Sequence, residues 1–306
     1  DLLTSWAQEM ETLILNWYIL VATESVVMLT LFASLQFLGT LLAPAIGSIA
    51  DRLGRRTVLC CLRAAYAGLA TILMVTGLTG TLTPEIVFGV AVFSGLIRPS
   101  DLVMRNSMIG DTMGPNTLGS AMGLSRMTMD TARIAGALAG AGLFATLGLG
   151  AAYIGVVACY ALSLLLTLGT SRAKPDRGEQ PFRIVQEVKD GLVFTWRTPR
   201  IKALMFYAFL VNACAFPINM GVLPFAAKEV FGLTETGLGQ MMAMFGFGAI
   251  VASLVIAATG GPKQRGRNIV GYIIVWFCLL FTFGHATEVW QAYVLLAIIG
   301  FAQGIS

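Results

Sequence analysis

The feature that most constrains this chain is a series of long apolar runs separated by short connections. They lie at about 2–22, 27–49, 57–77, 84–106, 118–146, 149–170, 201–225, 235–260, 268–286 and 289–306. Each is long enough to cross a hydrocarbon core of roughly 30 Å as a helix. The runs are continuous and lack a period of two, which excludes a β-barrel. Composition agrees: 57% of the residues are hydrophobic and 12% charged, against about a quarter charged in soluble domains. The expected fold class is an all-α polytopic membrane protein. Asp1 is not a Met, no signal-peptide pattern follows it, and Ser306 falls inside an apolar run. Both ends therefore read as cut, and a piece lacking helices is expected to be poorly stable alone.

Basic residues punctuate these runs on one side only. Numbering the connections from the start, the even ones and the polar stretch 171–200 hold Arg52, Arg55, Arg56, Arg105, the cluster from Arg172 to Lys202, Lys263, Arg265 and Arg267. The odd ones hold Lys228 alone. Positive charge stays on the cytoplasmic side, so the N-terminus is expected there too. This punctuation forms no single basic face and argues against a nucleic-acid partner; the partners are the lipid bilayer and a small molecule. Stretch 171–200 begins as a linker. It ends with Ile184, Val185, Val188, Leu192, Val193 and Trp196 spaced for an amphipathic helix on the membrane surface. The domain reading is 1–170 as a six-helix half, 171–200 as a cytoplasmic linker, and 201–306 as a second half with four helices.

The connection between runs two and three reads Gly47-Ser-Ile-Ala-Asp51-Arg52-Leu-Gly54-Arg55-Arg56. Gly47 suits a close helix approach. Gly54 suits a tight reversal. Asp51 can accept hydrogen bonds from a neighbouring helix start or pair with an Arg. Arg55 and Arg56 are expected to sit at lipid headgroups. Gly-x-x-x-Asp-Arg-x-Gly-Arg-Arg at this place resembles the signature of the major facilitator superfamily. The stretch from Arg98-Pro99 to Arg133-Ile-Ala-Gly136-Ala-Leu-Ala-Gly140 is similar to the enterobactin-exporter-like, or transmembrane secretion effector, branch. Ala137 stands where the antiporter motif has Pro, Arg98-Pro-Ser-Asp101 only echoes Arg-x-x-Gln-Gly, and the loop 261–267 has no Asp.

The resemblance implies a two-half helical bundle with ten of an expected twelve transmembrane helices present. It implies a multi-pass monomer in the plasma or inner membrane, working by alternating access. The motif from Gly47 to Arg56 would be a conformational latch, and Gly136 and Gly140 would serve helix packing. The activity implied is proton-coupled efflux of a drug-like or siderophore-like molecule, an antiporter's work. The alternative is a symporter or uniporter for a polar nutrient; a non-transporting scaffold comes last. Neither His-Glu-x-x-His, Gly-x-Ser-x-Gly nor a phosphate loop occurs. No enzyme activity, cofactor or metal is expected, and the five cysteines read as small packing residues.

Charge inside a membrane costs several kcal/mol unless paired or wet, which makes each such residue a functional candidate. Glu9 and Glu11 lie in run one on nearly opposite faces, Glu9 with Asn16 and Glu11 with Tyr18; either could face a cavity. In run four, Arg98, Asp101 and Arg105 share one face, and in run five Arg126, Asp130 and Arg133 do so. Cross-pairs are expected, Arg98 with Asp130 and Asp101 with Arg133. Two readings stand for these: gating or proton coupling, and a structural ion-pair network. Substrate-cavity candidates are Asn16, Tyr18, Asn212, Asn219, Gln240, Met241, Met244 and Phe245. Asn212 and Asn219 flank Pro217 in a helix that a cavity would tolerate as broken.

Overall fold

The computed structural model describes the chain except residues 37, 42–45, 48, 51–52, 115–116, 170–192, 211–220, 260–264 and 306. For residues 41, 119, 200, 204, 207–210, 257–259, 265–270 and 272–273 it describes the backbone alone. The described residues form helices and connections, with no strand among them. In order these are α1 (Leu2–Thr23), α2 (Val26–Leu35), a 3-10 turn (Leu38–Leu41), α3 (Arg55–Leu78), α4 (Pro84–Thr112) and α5 (Leu118–Leu168). There follow α6 (Pro199–Leu210), a short turn at Leu223–Phe225 running into a π-helical stretch (Ala226–Val230), α7 (Glu235–Thr259), α8 (Arg265–Phe283) and α9 (Val289–Ile305). Among the described residues four helices are long and apolar enough to cross a membrane: Arg55–Leu78, Pro84–Thr112, Ser120–Leu168 and Glu235–Ile256.

Helix starts follow local chemistry. Ser25 caps α2, its hydroxyl accepting from the Met28 amide at 3.4 Å. α4 opens with Thr83 at its cap, Pro84 in its first turn and Glu85 at the positive end of the helix dipole. Runs five and six are two helical arms, labelled together as α5, with a break between them. The arms part at Gly148, where φ 77° and ψ 173° leave the helical region for one that a side chain disfavours. In run two a regular helix ends at Leu35, a 3-10 turn covers Leu38–Leu41, and 46–47 and 49–50 are again helical. The interruption lies at a crossing with α4: a Cβ at Gly39 would lie 2.1 Å from the Leu96 carbonyl oxygen, and one at Gly95 1.9 Å from that of Leu35. Pro99 within α4 can give no amide hydrogen to the Gly95 carbonyl, which lies at this crossing. The amphipathic segment expected before Trp196 lies largely outside the described residues; 193–197 is helical.

The first arm of α5 is the central beam. α1 packs along it on one side and α7 on another, while α3 packs against α5 as well and α9 backs α7. Gly136 and Gly140 serve as expected: Cβ atoms there would meet Trp6 O and Glu9 Cβ at 2.9 Å and Met10 Cα at 2.9 Å. Small residues let these backbones touch, which is how helices associate where lipid removes the hydrophobic driving force. The bundle's outer surface is apolar, with Phe93, Leu165, Phe206, Phe281 and Trp290 exposed. Its interior holds Gln8, Thr12, Asn16, Gln36, Arg63, Asp101, Arg105 and Asp130, all buried. The rest of the core is apolar, so these polar and charged groups are enclosed within a largely apolar interior.

Candidate functional site

Three polar clusters emerge from that interior. The first lies among α1, α2, α3, α4 and the second arm of α5. The Tyr160 hydroxyl donates to Glu11 Oε2 at 2.8 Å. Arg98 donates to Gln36 Oε1 at 2.5 Å and to Thr12 Oγ1 at 3.3 Å. Tyr66 stacks on Tyr160, ring centroids 5.3 Å apart. Glu11, Thr12, Gln36, Tyr66 and Arg98 line one cavity of about 20 Å³, room for about one water molecule. The Gln8 amide nitrogen, Tyr66 hydroxyl and Ser94 hydroxyl are buried without a hydrogen-bond partner among the described residues, and all three residues face this cavity. Glu11 lines this cavity in company with Arg98.

The second cluster lies on the seam between α5 and α7. Asp130 pairs within its own helix, with Arg126 at 3.5 Å and Arg133 at 3.7 Å. It also accepts the Ser253 hydroxyl of α7 at 3.1 Å. Arg133 approaches Glu9 of α1 at 4.0 Å and lies 5.5 Å above the Phe245 ring of α7. The expected cross-pairs do not form. Asp101 pairs with Arg105 four residues on at 2.9 Å, and Arg98 turns to the α2 side. Spacings of three and four bring partners on one helix together with little loss of freedom, and α1 takes up the Arg133 charge from outside.

The third cluster closes the ends of α3, α4 and α5. Gly54 has φ +88°, the reversal its position requires. Arg55 pairs with Asp111 and reaches the Ser107 carbonyl at 3.2 Å. Arg56 reaches the Thr167 carbonyl at 3.4 Å and that of Leu168. Both side chains bond to protein groups at the ends of neighbouring helices. The last carbonyls of a helix have no partner within it and carry its negative end, which draws Arg56. Gly47 meets no described atom within 4 Å, so the close approach expected there is not seen. Asp51 and Arg52 lie outside the described residues. Replacing Arg56 with Ala is expected to cost about 1–2 kcal/mol, read as a lower thermal unfolding midpoint in detergent.

The remaining candidates scatter. Asn16 and Met241 are buried, Met244 is exposed, and the Tyr18 hydroxyl is held by the Leu82 carbonyl at 3.2 Å. Gln240 accepts the Tyr293 hydroxyl at 2.8 Å, and Asn212 and Asn219 lie outside the described residues. Sequence reasoning missed Tyr160, Tyr66, Gln36 and Arg63. A polar or aromatic residue amid an apolar run was the available signal, above all Arg63, a lone arginine well inside run three.

This is the build of a multi-pass membrane protein with charged groups buried inside it. The chain belongs to the Major Facilitator Superfamily, whose family model matches residues 3–306. It is similar to the tetracycline resistance protein, class C, of Escherichia coli: 24% identical over 294 residues, covering 91% of this chain and 68% of that protein. It is also similar to the multidrug efflux pump Tap of Mycolicibacterium fortuitum, 22% identical, covering 94% of this chain and 72% of that protein. In fold it matches a crystal structure of a D-xylose–proton symporter with a TM-score of 0.71 at 13% identity, covering 100% of this chain and 78% of that one. The chain is a superfamily transporter.

Proposed function

We propose that this chain is the greater part of a proton-coupled exporter of drug-like or siderophore-like molecules, working by alternating access. The observation that carries the coupling is Glu11, a carboxylate inside the bundle, held by Tyr160 in a cavity shared with Arg98. A water-sized space beside a buried acid is where a proton can arrive and leave. The two exporters among the relatives favour export. The proposed architecture is a six-helix half at 1–170, a linker at 171–200 and a second half from 201, with ten spans present. N-terminus and linker are cytoplasmic, and the protein is a monomer in the cell's plasma or inner membrane. α5 and α7 form the seam on which the halves rock. Asp130–Ser253 and Arg133–Phe245 bridge it and must change as it opens. Asp51 and its loop would latch one end.

Expression of the complete protein in a drug-sensitive bacterium tests this. Intracellular accumulation of a fluorescent dye should fall several-fold, and adding a protonophore should restore it. Tyr160→Phe removes a hydrogen bond to a charged group, worth ~1.5–3 kcal/mol. It is expected to cut that export roughly tenfold without lowering expression. The second reading is a proton symporter for a polar nutrient, favoured by the likeness in fold to the D-xylose–proton symporter. Dye accumulation unchanged by expression, with proton-driven sugar uptake, would support it.

A further inference from the structure

At the end of the bundle where α1 and α3 begin and α4 and α5 finish lies a cavity of about 250 Å³, apart from the one at Glu11. Leu59, Met108, Thr112 and Thr167 form its walls, and two buried guanidinium groups, Arg63 and Arg105, face it. Arg63 donates to the Ser163 carbonyl at 3.3 Å, to the Thr167 hydroxyl and to Asp1 Oδ1 at 2.8 Å. Its Nε is buried with no hydrogen-bond partner among the described residues. Arg105 donates to the Ser5 hydroxyl at 3.0 Å. Its Nε touches Asp101 Oδ2 at 2.9 Å, yet at an angle that makes no hydrogen bond. Arg56 donates to the carbonyls of Thr167, a wall residue, and of Leu168. Asp1 lines the cavity beside the two buried arginines, Asp101 pairs with Arg105 behind it, and the Nε of each arginine makes no hydrogen bond among the described residues.

A buried donor without a partner costs about 1–3 kcal/mol, more when charged. Two planar forks around a space several waters wide suit a tetrahedral oxyanion, whose oxygens accept from guanidinium in pairs. Basic pockets between membrane helices at the cytoplasmic face recognise phosphate headgroups in this way. We propose that this cavity is a binding site for a phosphate-type oxyanion, supplied by an anionic phospholipid headgroup or by free phosphate. Bound there, the anion ties α1, α3, α4 and the second arm of α5 together at one end. The site is separate from Glu11 and does not depend on the direction of transport.

Thermal unfolding of the complete protein in neutral detergent tests this. The probes are phosphatidylglycerol, phosphatidylcholine, inorganic phosphate, and chloride at matched ionic strength. A rise in midpoint of about 3–5 °C with phosphatidylglycerol alone is expected if the source is a lipid. A like rise with phosphate, and none with chloride, identifies a soluble oxyanion. Thr112→Glu places a carboxylate at the exposed wall without touching either arginine. It should leave the ligand-free midpoint unchanged and abolish the rise. Equal shifts from all four probes, no shift from any, or a shift that survives Thr112→Glu would overturn the proposal.

Discussion

Glu11→Gln is expected to leave the protein folded and in the membrane while reducing gradient-driven transport roughly tenfold or more. Glutamine keeps the volume and can still accept from Tyr160, so packing among α1, α3 and α5 survives. What goes is the one ionisable oxygen pair in the cavity with Arg98. Intramembrane acids are retained at a cost of several kcal/mol because a proton or ion must be carried there. Glu9→Gln provides the contrast. Glu9 approaches Arg133 at 4.0 Å, on the side of α1 that faces α5. Its loss should weaken a structural contact and spare coupling. The check is transport driven by an imposed pH gradient, alongside purified yield for each variant. A Glu11→Gln protein that fails to express, with Glu9→Gln uncoupled, would reverse the assignment.

The second large effect is on folding. Gly300 of α9 and Gly248 of α7 face each other's helices so closely that no side chain fits. A Cβ at Gly300 would lie 1.9 Å from the Phe245 carbonyl oxygen, and one at Gly248 1.8 Å from that of Ala297. The obstacle in both cases is backbone, which cannot rotate away. Gly300→Val is therefore expected to separate α7 from α9 at a cost of about 3 kcal/mol or more, beyond ordinary overpacking. Little monodisperse protein should survive size-exclusion chromatography. Gly271→Val is the control: no described atom lies within 4 Å of a Cβ there, and its yield should match the parent. Equal yields from both variants would show that the helices do not touch as described.

Helices were legible in the sequence because a membrane demands long apolar runs and satisfied backbones, and both requirements are written locally. Gly54 was legible for the same reason: a reversal a few residues long between two helices needs a positive φ. The break at Gly148 falls in the gap between runs five and six, where the sequence offers only small and apolar residues. The partners of charged residues were harder still. Asp101 and Asp130 are buried and Arg98 and Arg133 partly so, but their pairing depended on helix rotation. The same holds for Glu11, whose partner Tyr160 lies 149 residues away and could be found only once α1 and α5 were packed. The carbonyl ends that Arg56 meets belong to a helix finishing at Leu168, more than a hundred residues away in sequence.

The central claim, a proton-driven carrier built around Glu11, is tested most directly by reconstituting the complete protein in vesicles with an imposed pH gradient. Movement of a drug-like dye should follow the gradient, stop with a protonophore, and be lost in Glu11→Gln while Gly271→Val retains it. Dye movement indifferent to the gradient, or coupled transport undiminished in Glu11→Gln, would contradict it.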